Sequence, residues 1–138
     1  MKRKPPTILF VCRENACRSQ MAEGFARFYG KETVETWSAG STPRGAINEG
    51  AVAVMQEDGI QLADQRSKGL DRLPRRTWDV VVTMGCGDAC PSLSARHRFD
   101  WDIPDPKGQS PEQYRKVREM IRDAVKALLT QVPELTGR

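Results

Sequence analysis

Histidine is nearly absent from this chain: His97 is the only one in 138 residues. Alone, it reads as a surface or loop residue rather than a ligand or a base. Aromatic residues make up 7% of the sequence and no stripe of them interleaves with basic residues, which argues against a nucleic-acid partner. No apolar run is long enough to cross a membrane, so no membrane association is expected. Lys2-Arg3-Lys4 looks like the start of a secretion signal, but the apolar run behind it is too short for one. The four cysteines are then expected in the cytoplasm, where thiols stay reduced unless they are catalytic or metal-bound. The chain is too short for two ordinary domains, and 38% hydrophobic with 29% charged residues is globular, so residues 1–138 are read as one domain. The net charge of +4 suits a small anionic substrate, but a solvated basic surface gives the same number.

What the chain does have is concentrated in Cys12-Arg13-Glu14-Asn15-Ala16-Cys17-Arg18-Ser19. An apolar run, Ile8-Leu9-Phe10-Val11, precedes it and a helical pattern begins near Gln20. A strand that ends where a helix begins leaves backbone N–H groups and the positive end of a helix dipole facing one spot, which favours an anion. Helix-end N–H groups, a cation and a hydroxyl stabilise a thiolate, the nucleophilic form of cysteine. The planar fork of Arg18 matches two oxygens of a tetrahedral oxyanion. A buried, inert strand-end thiol is the plainer reading of one cysteine, but it leaves the Arg-Ser ending without a role.

Along the chain, Thr7–Val11 reads as a central parallel strand, apolar on both faces. Met21, Ala22, Phe25, Ala26 and Tyr29 follow at helical spacing, stopped at Gly30. Val34–Ser38 alternates as a second strand; Ile47, Ala51, Val52 and Met55 make a second helical stripe ended at Gly59. Residues 65–70 read as a loop into a short helix, Trp78–Thr83 as the third strand and Arg98–Ile103 as the fourth. Ser110 caps a long helix with Pro111 at its first position and Gln113 three residues on. Strands alternating with helices predict an α/β fold: a four-stranded, mostly parallel sheet with helices on both faces. Ligands of such sheets bind beyond the carboxyl ends of the strands. The Cys12 loop, the Cys86–Cys90 segment and Asp105 each follow a strand, so all three are expected at one edge.

Asp105 stands between Pro104 and Pro106, which hold it still, and a stiff carboxyl beside an oxyanion suits general acid catalysis. Turn chemistry alone would also place an Asp between prolines. Cys86 and Cys90 are four residues apart; on a helix their Cβ atoms would be roughly 5–6 Å apart, whereas a disulfide needs about 3.8 Å. The pair can oxidise only if the segment bends or unwinds, which Gly85 and Gly87 ease.

The Cys12–Ser19 spacing resembles the phosphate-binding loop of the low-molecular-weight protein tyrosine phosphatase superfamily. Thr83-Met84-Gly85-Cys86-Gly87-Asp88-Ala89-Cys90-Pro91 and Asp105-Pro106-Lys107-Gly108 resemble its branch of thioredoxin-coupled arsenate reductases; the phosphatase branch typically has tyrosine soon after the Asp-Pro. The resemblance runs from Ile8 to the last helix and implies the fold of that superfamily. It also implies reduction of arsenate to arsenite, regeneration by thioredoxin, a monomer and no cofactor. Cys12 is then the nucleophile, Arg18 the oxyanion ligand, Ser19 the stabiliser of the thiolate and Asp105 the general acid. Cys86 and Cys90 are the relay pair, forming first a Cys12–Cys86 and then a Cys86–Cys90 disulfide. Residues Arg13, Glu14, Asn15, Ala16, Cys17, Arg18 and Ser19 bind substrate; Asn15 braces the loop and Cys17 stays out of the relay. Glu14 stands where glycine is frequent and is expected to point to solvent. Asn15, Glu23 and Ser38 match positions that hold potassium in some members, but Lys68 replaces a carboxylate there, so no potassium requirement is expected.

Two other readings remain open at this point. A phosphatase needs Cys12, Arg18 and Asp105 but neither Cys86 nor Cys90. A zinc site would use the cysteines, but their spacings are not the tight pairs of structural zinc and Arg18 would adjoin a ligand. The reductant could also be a low-molecular-weight thiol such as mycothiol, with a redoxin such as glutaredoxin.

Overall fold

The computed structural model describes residues 4–85 and 93–137. At its centre lies β1 (Thr7–Cys12), every residue of which is buried. Its apolar run is flanked on both edges: β2 (Glu35–Gly40) and β3 (Trp78–Met84) pair with it in parallel, and β4 (Ala95–Asp100) continues the sheet beyond β3. The strand order is β2-β1-β3-β4, all parallel, so all four carboxyl ends lie at one edge. Cys12 occupies that edge in register with Gly40 on one side and Met84 on the other. Ile8, Leu9, Phe10 and Val11 are fully buried, and each such side chain contributes about 1.5–3 kcal/mol through burial.

Among the described residues three α-helices, α1 (Arg18–Gly30), α2 (Glu49–Glu57) and α3 (Pro111–Thr136), pack on one another. Their buried stripes, including Met21, Phe25, Met55, Val117, Ile121 and Val125, meet the face of the sheet that carries Ile8, Phe10, Val80 and Val82. The opposite face carries Leu9, Val11, Trp78 and Val81. Trp37 of β2 packs beside them, and among the described residues the face is covered by Leu70 in a single 3-10 turn (Leu70–Arg72) and by Leu73 and Leu93. Both faces are thus covered, unevenly. Ser110 caps α3 as expected, its Oγ accepting from the Gln113 N–H, with Pro111 opening the helix.

The expected elements form, with three shifts of physical interest. β2 runs on to Gly40, where the anion loop passes so close that a Cβ would lie 2.6 Å from the Arg13 carbonyl oxygen. Tyr29, expected in the buried stripe of α1, is 39% exposed and lies under the Lys126 ammonium, 4.7 Å from its ring centre. β4 lies at 95–100 rather than 98–103 because the chain leaves the sheet after Trp101, whose N–H still reaches the Thr83 carbonyl. The Ile103 N–H closes on the Trp101 carbonyl, and the Ile103 carbonyl turns to the Arg18 guanidinium. The alternation Phe99, Trp101, Ile103 looks like a strand, but its last third serves the site instead.

Candidate active site

The loop between β1 and α1 is held from outside. The Arg13 carbonyl accepts from the Thr42 N–H at 2.7 Å, that of Glu14 from the Arg44 N–H at 3.0 Å, and that of Ala16 from the Asn48 N–H at 2.8 Å. The Asn15 carbonyl accepts from Gln20 Nε2 and that of Glu14 also from the Ser67 hydroxyl. In a trans peptide the carbonyl and the next N–H lie on opposite sides of the plane. Turning successive carbonyls outward therefore aims the following N–H groups to the concave side, a concavity that suits an anion. Asn15 adopts φ +49°, a left-handed conformation asparagine tolerates better than most residues. Its Oδ1 is held by the Lys68 N–H and by Gln20 Nε2, both at 2.9 Å.

On the concave side is a pocket of 440 Å³ whose walls include Cys12, Arg18, Asp105 and Gly85. Cys12 Sγ lies 2.9 Å from Ser19 Oγ, and Asn15 Nδ2 donates to the same Oγ at 2.7 Å. With one lone pair of Ser19 occupied by Asn15, its proton is free to point at sulfur, and toward a thiolate only Ser19 can be the donor. Arg18 is buried at 7% exposure; Nη1 donates to the Ile103 carbonyl at 3.1 Å and Nη2 lies 3.6 Å from Asp105 Oδ2. Its Nε is buried with no partner among the described residues, a donor facing the pocket beside the nucleophile. Burial, with the charges of Asp105 and Cys12 adding to it, pushes the Cys17 thiol well above the usual range. Cys17 thus stays protonated while lining the same pocket.

Of the substrate-binding residues expected from sequence, Arg13, Glu14, Ala16, Cys17 and Arg18 line the pocket, whereas Asn15 and Ser19 are fully buried behind it and act through the loop and Cys12. Asp105 sits at the rim, its Oδ1 accepting from the Lys107 N–H at 3.1 Å. Glu14 does not face solvent alone: Lys107 Nζ lies 3.0 and 3.1 Å from its two carboxylate oxygens. Cys86 and Cys90 lie outside the described residues, but Gly85 directly before them forms pocket wall against Arg18.

Gln20, Gln65, Asn48 and Lys107 were not legible as site residues. Gln20 is fully buried and links Asn15 to the Arg66 carbonyl, and Gln65 in turn donates to Gln20. Asn48 caps α2, accepts from Tyr114 and reaches the pocket wall. A buried glutamine directly after the Arg-Ser was the one available signal. The potassium positions do not fit a cation. Ser38 donates to Glu23 at 2.5 Å, Arg27 lies 3.7 Å from the same carboxylate, and Asn15 Oδ1 is already taken. Lys68 faces Glu23 as well; burial lowers its pKa, against the raising influence of that carboxylate. Among the described residues no group of three His, Cys, Asp or Glu could hold a metal ion. His97 Nε2 bonds the Leu135 carbonyl, tying β4 to α3. No described helix is long and apolar enough to cross a membrane.

Comparison with known proteins places residues 7–136 on the model of the low molecular weight phosphotyrosine protein phosphatase family. The chain is 36% identical over 128 residues to a glutaredoxin arsenate reductase of Synechocystis sp., covering 91% of this chain and 97% of the relative. A solved arsenate reductase in its phosphate-binding state superposes with a TM-score of 0.85 at 35% identity, covering 92% of this chain and 98% of the other. A thioredoxin-dependent arsenate reductase of Corynebacterium glutamicum superposes with a TM-score of 0.79 at 31% identity, covering 96% of this chain and 64% of the other.

Proposed function

We infer that this chain, which belongs to the low molecular weight phosphotyrosine protein phosphatase family, is an arsenate reductase working through a cysteine relay. The observation that carries the reading is Cys12 Sγ held 2.9 Å from Ser19 at the floor of an anion pocket, beside an Arg18 Nε with no partner among the described residues. Solved and curated relatives that share the full length of the site are named arsenate reductases.

The Cys12 thiolate attacks arsenic, forming an S–As(V) bond, while Asp105 gives its proton to a departing hydroxyl of arsenate, which leaves as water. Arg18 and the loop N–H groups hold the remaining oxygens. Cys86 then attacks the Cys12 sulfur: an S–S bond forms and the S–As pair of electrons goes to arsenic, which leaves as arsenite, As(III). Cys90 attacks Cys86, freeing the Cys12 thiolate and leaving a Cys86–Cys90 disulfide. An outside dithiol reduces that disulfide by exchange. The relay requires two oxidisable thiols besides Cys12, and the sequence supplies them one and five residues after pocket residue Gly85. Thioredoxin is the proposed donor, residues 1–138 a single arsenate reductase domain, and the cytoplasm its place. The glutaredoxin arsenate reductase among its relatives favours glutaredoxin as the second donor to test.

Arsenate-dependent NADPH consumption, with thioredoxin and its reductase against glutaredoxin with glutathione and against mycothiol, tests this directly. Turnover is expected with thioredoxin. Cys12→Ser abolishes it, and Cys86→Ser and Cys90→Ser limit the enzyme to at most one turnover. Sustained phosphoester cleavage with no arsenate turnover by any donor would overturn the reading in favour of a phosphatase.

A further inference from the structure

The mouth of the pocket is spanned by an ion pair between two segments 93 residues apart in sequence. Lys107 Nζ, two residues beyond the proposed acid, bonds both carboxylate oxygens of Glu14, the third residue of the anion loop. Both residues line the pocket that holds Cys12, Arg18 and Asp105. Lys107 is tied at its other end as well, since its backbone N–H donates to Asp105 Oδ1. One connected path therefore runs from the loop carboxylate, through Lys107, to the acid at the rim and on to Arg18.

We propose that the Glu14–Lys107 pair is a clasp that sets the size of the substrate, admitting a bare tetrahedral oxyanion and disfavouring one that carries an aryl substituent. In an in-line attack by Cys12 the departing oxygen lies opposite sulfur and faces the proton donor, Asp105. In arsenate that oxygen bears at most hydrogen. In an aryl phosphoester or phosphonate it is the position from which the ring extends, outward past Asp105, between the acid turn and the loop. That is the gap the pair closes. Seating a ring there separates ammonium from carboxylate, and the contact is lost without replacement. The proposal rests on the reading of the pocket as an oxyanion site for arsenate.

Two effects of the pair can be told apart. Neutralising Glu14 makes the mouth more positive and neutralising Lys107 makes it more negative, so a purely electrostatic influence moves anion affinity in opposite directions in the two variants. Release of a clasp moves selectivity in the same direction in both. The probes are inorganic phosphate and phenylphosphonate, with dissociation constants measured calorimetrically for the full chain and for Glu14→Gln, Lys107→Gln and the exchanged double variant Glu14→Lys/Lys107→Glu. In the wild type phenylphosphonate is expected to bind at least about tenfold more weakly than phosphate. Both single variants are expected to shrink that ratio at least about threefold, and the exchanged pair to restore it. A ratio unchanged in the single variants, or shifted in opposite directions, overturns the clasp, as does a double variant that resembles the singles. Arsenate turnover of the wild type is scored separately. Turnover with an unchanged ratio sinks the clasp alone; a ratio that shifts as expected without turnover sinks the arsenate reading and leaves the clasp as a filter on another oxyanion.

Discussion

At the scale of the residue, the most exacting position in the site is a glycine. Gly85 has φ +71°, and a Cβ there would stand 2.1 Å from Arg18 Nη1. Any side chain meets two objections: the left-handed backbone costs an L residue about 1–2 kcal/mol, and the guanidinium must move. Gly85→Ala is therefore expected to weaken inorganic phosphate binding at least tenfold while lowering the melting temperature by only a few degrees. Calorimetry and a thermal melt on the same variant check both; unaltered phosphate affinity would show that Arg18 does not need its present place. Gly85 was read from sequence only as an aid to bending, because its neighbour Arg18 is 67 residues away in the chain. That Cys12, Arg18 and Ser19 gather at one pocket was legible from their local spacing, and that Asp105 joins them was legible from its place after a strand. Gln20, Lys107 and Asn48 were not, because each acts through a contact that only the tertiary fold creates.

At the scale of the element, long apolar stripes located α1, α2 and α3 and the cap box located the start of α3, whereas the edge strand β4 slid by three residues. An edge strand is specified on one side only, and its alternation continued into a segment that has a different partner. Between α2 and α3 lies a charge cluster that pattern reading did not reach. Glu57 of α2 accepts from Arg115 and Arg118 of α3, and Arg118 also donates to the Val54 carbonyl. Hydrogen bonds from Arg115 and then Arg118 hold the Glu57 carboxyl down to about 2 from its ordinary 4.5. A lowered folded-state pKa contributes stability that is present above the unfolded value and lost as pH falls through the folded one. The contribution is therefore full above pH 4.5 and disappears toward pH 2. Because the group is solvent-exposed, the effect is modest and weakens with salt. Denaturation of the wild type and Glu57→Gln at neutral pH, pH 4 and pH 2.5 should show a stability difference that narrows as acid is added. A constant difference would place the effect of the substitution elsewhere.

At the scale of the whole molecule, the fold class followed from the alternation of strands and helices, and the gathering of site residues at one edge followed from parallel strands. What the alternation could not reveal is how the second sheet face is covered. Leu73 and Leu93 do so from irregular segments and Leu70 from a lone 3-10 turn, all too short to show a period. Nor could it reveal that the segments on either side of α2, residues 41–48 and 58–68, carry the outer support of the anion loop through Thr42, Arg44, Asn48, Ser67 and Lys68.

That support has a consequence for dynamics. The cradle's shape is owned jointly by residues 12–19 and by distant segments that grip it from behind, so occupancy in front and order behind are thermodynamically linked: whatever binds the first must restrain the second. Saturating phosphate should slow amide hydrogen exchange not only at 13–19 but also at the N–H groups of Thr42, Arg44 and Lys68, none of which lines the anion pocket. Protection confined to 13–19 would refute the linkage. If it holds, emptying the site loosens the segments on either side of α2, and each round of binding and release carries a small rhythm of tightening and slackening through them.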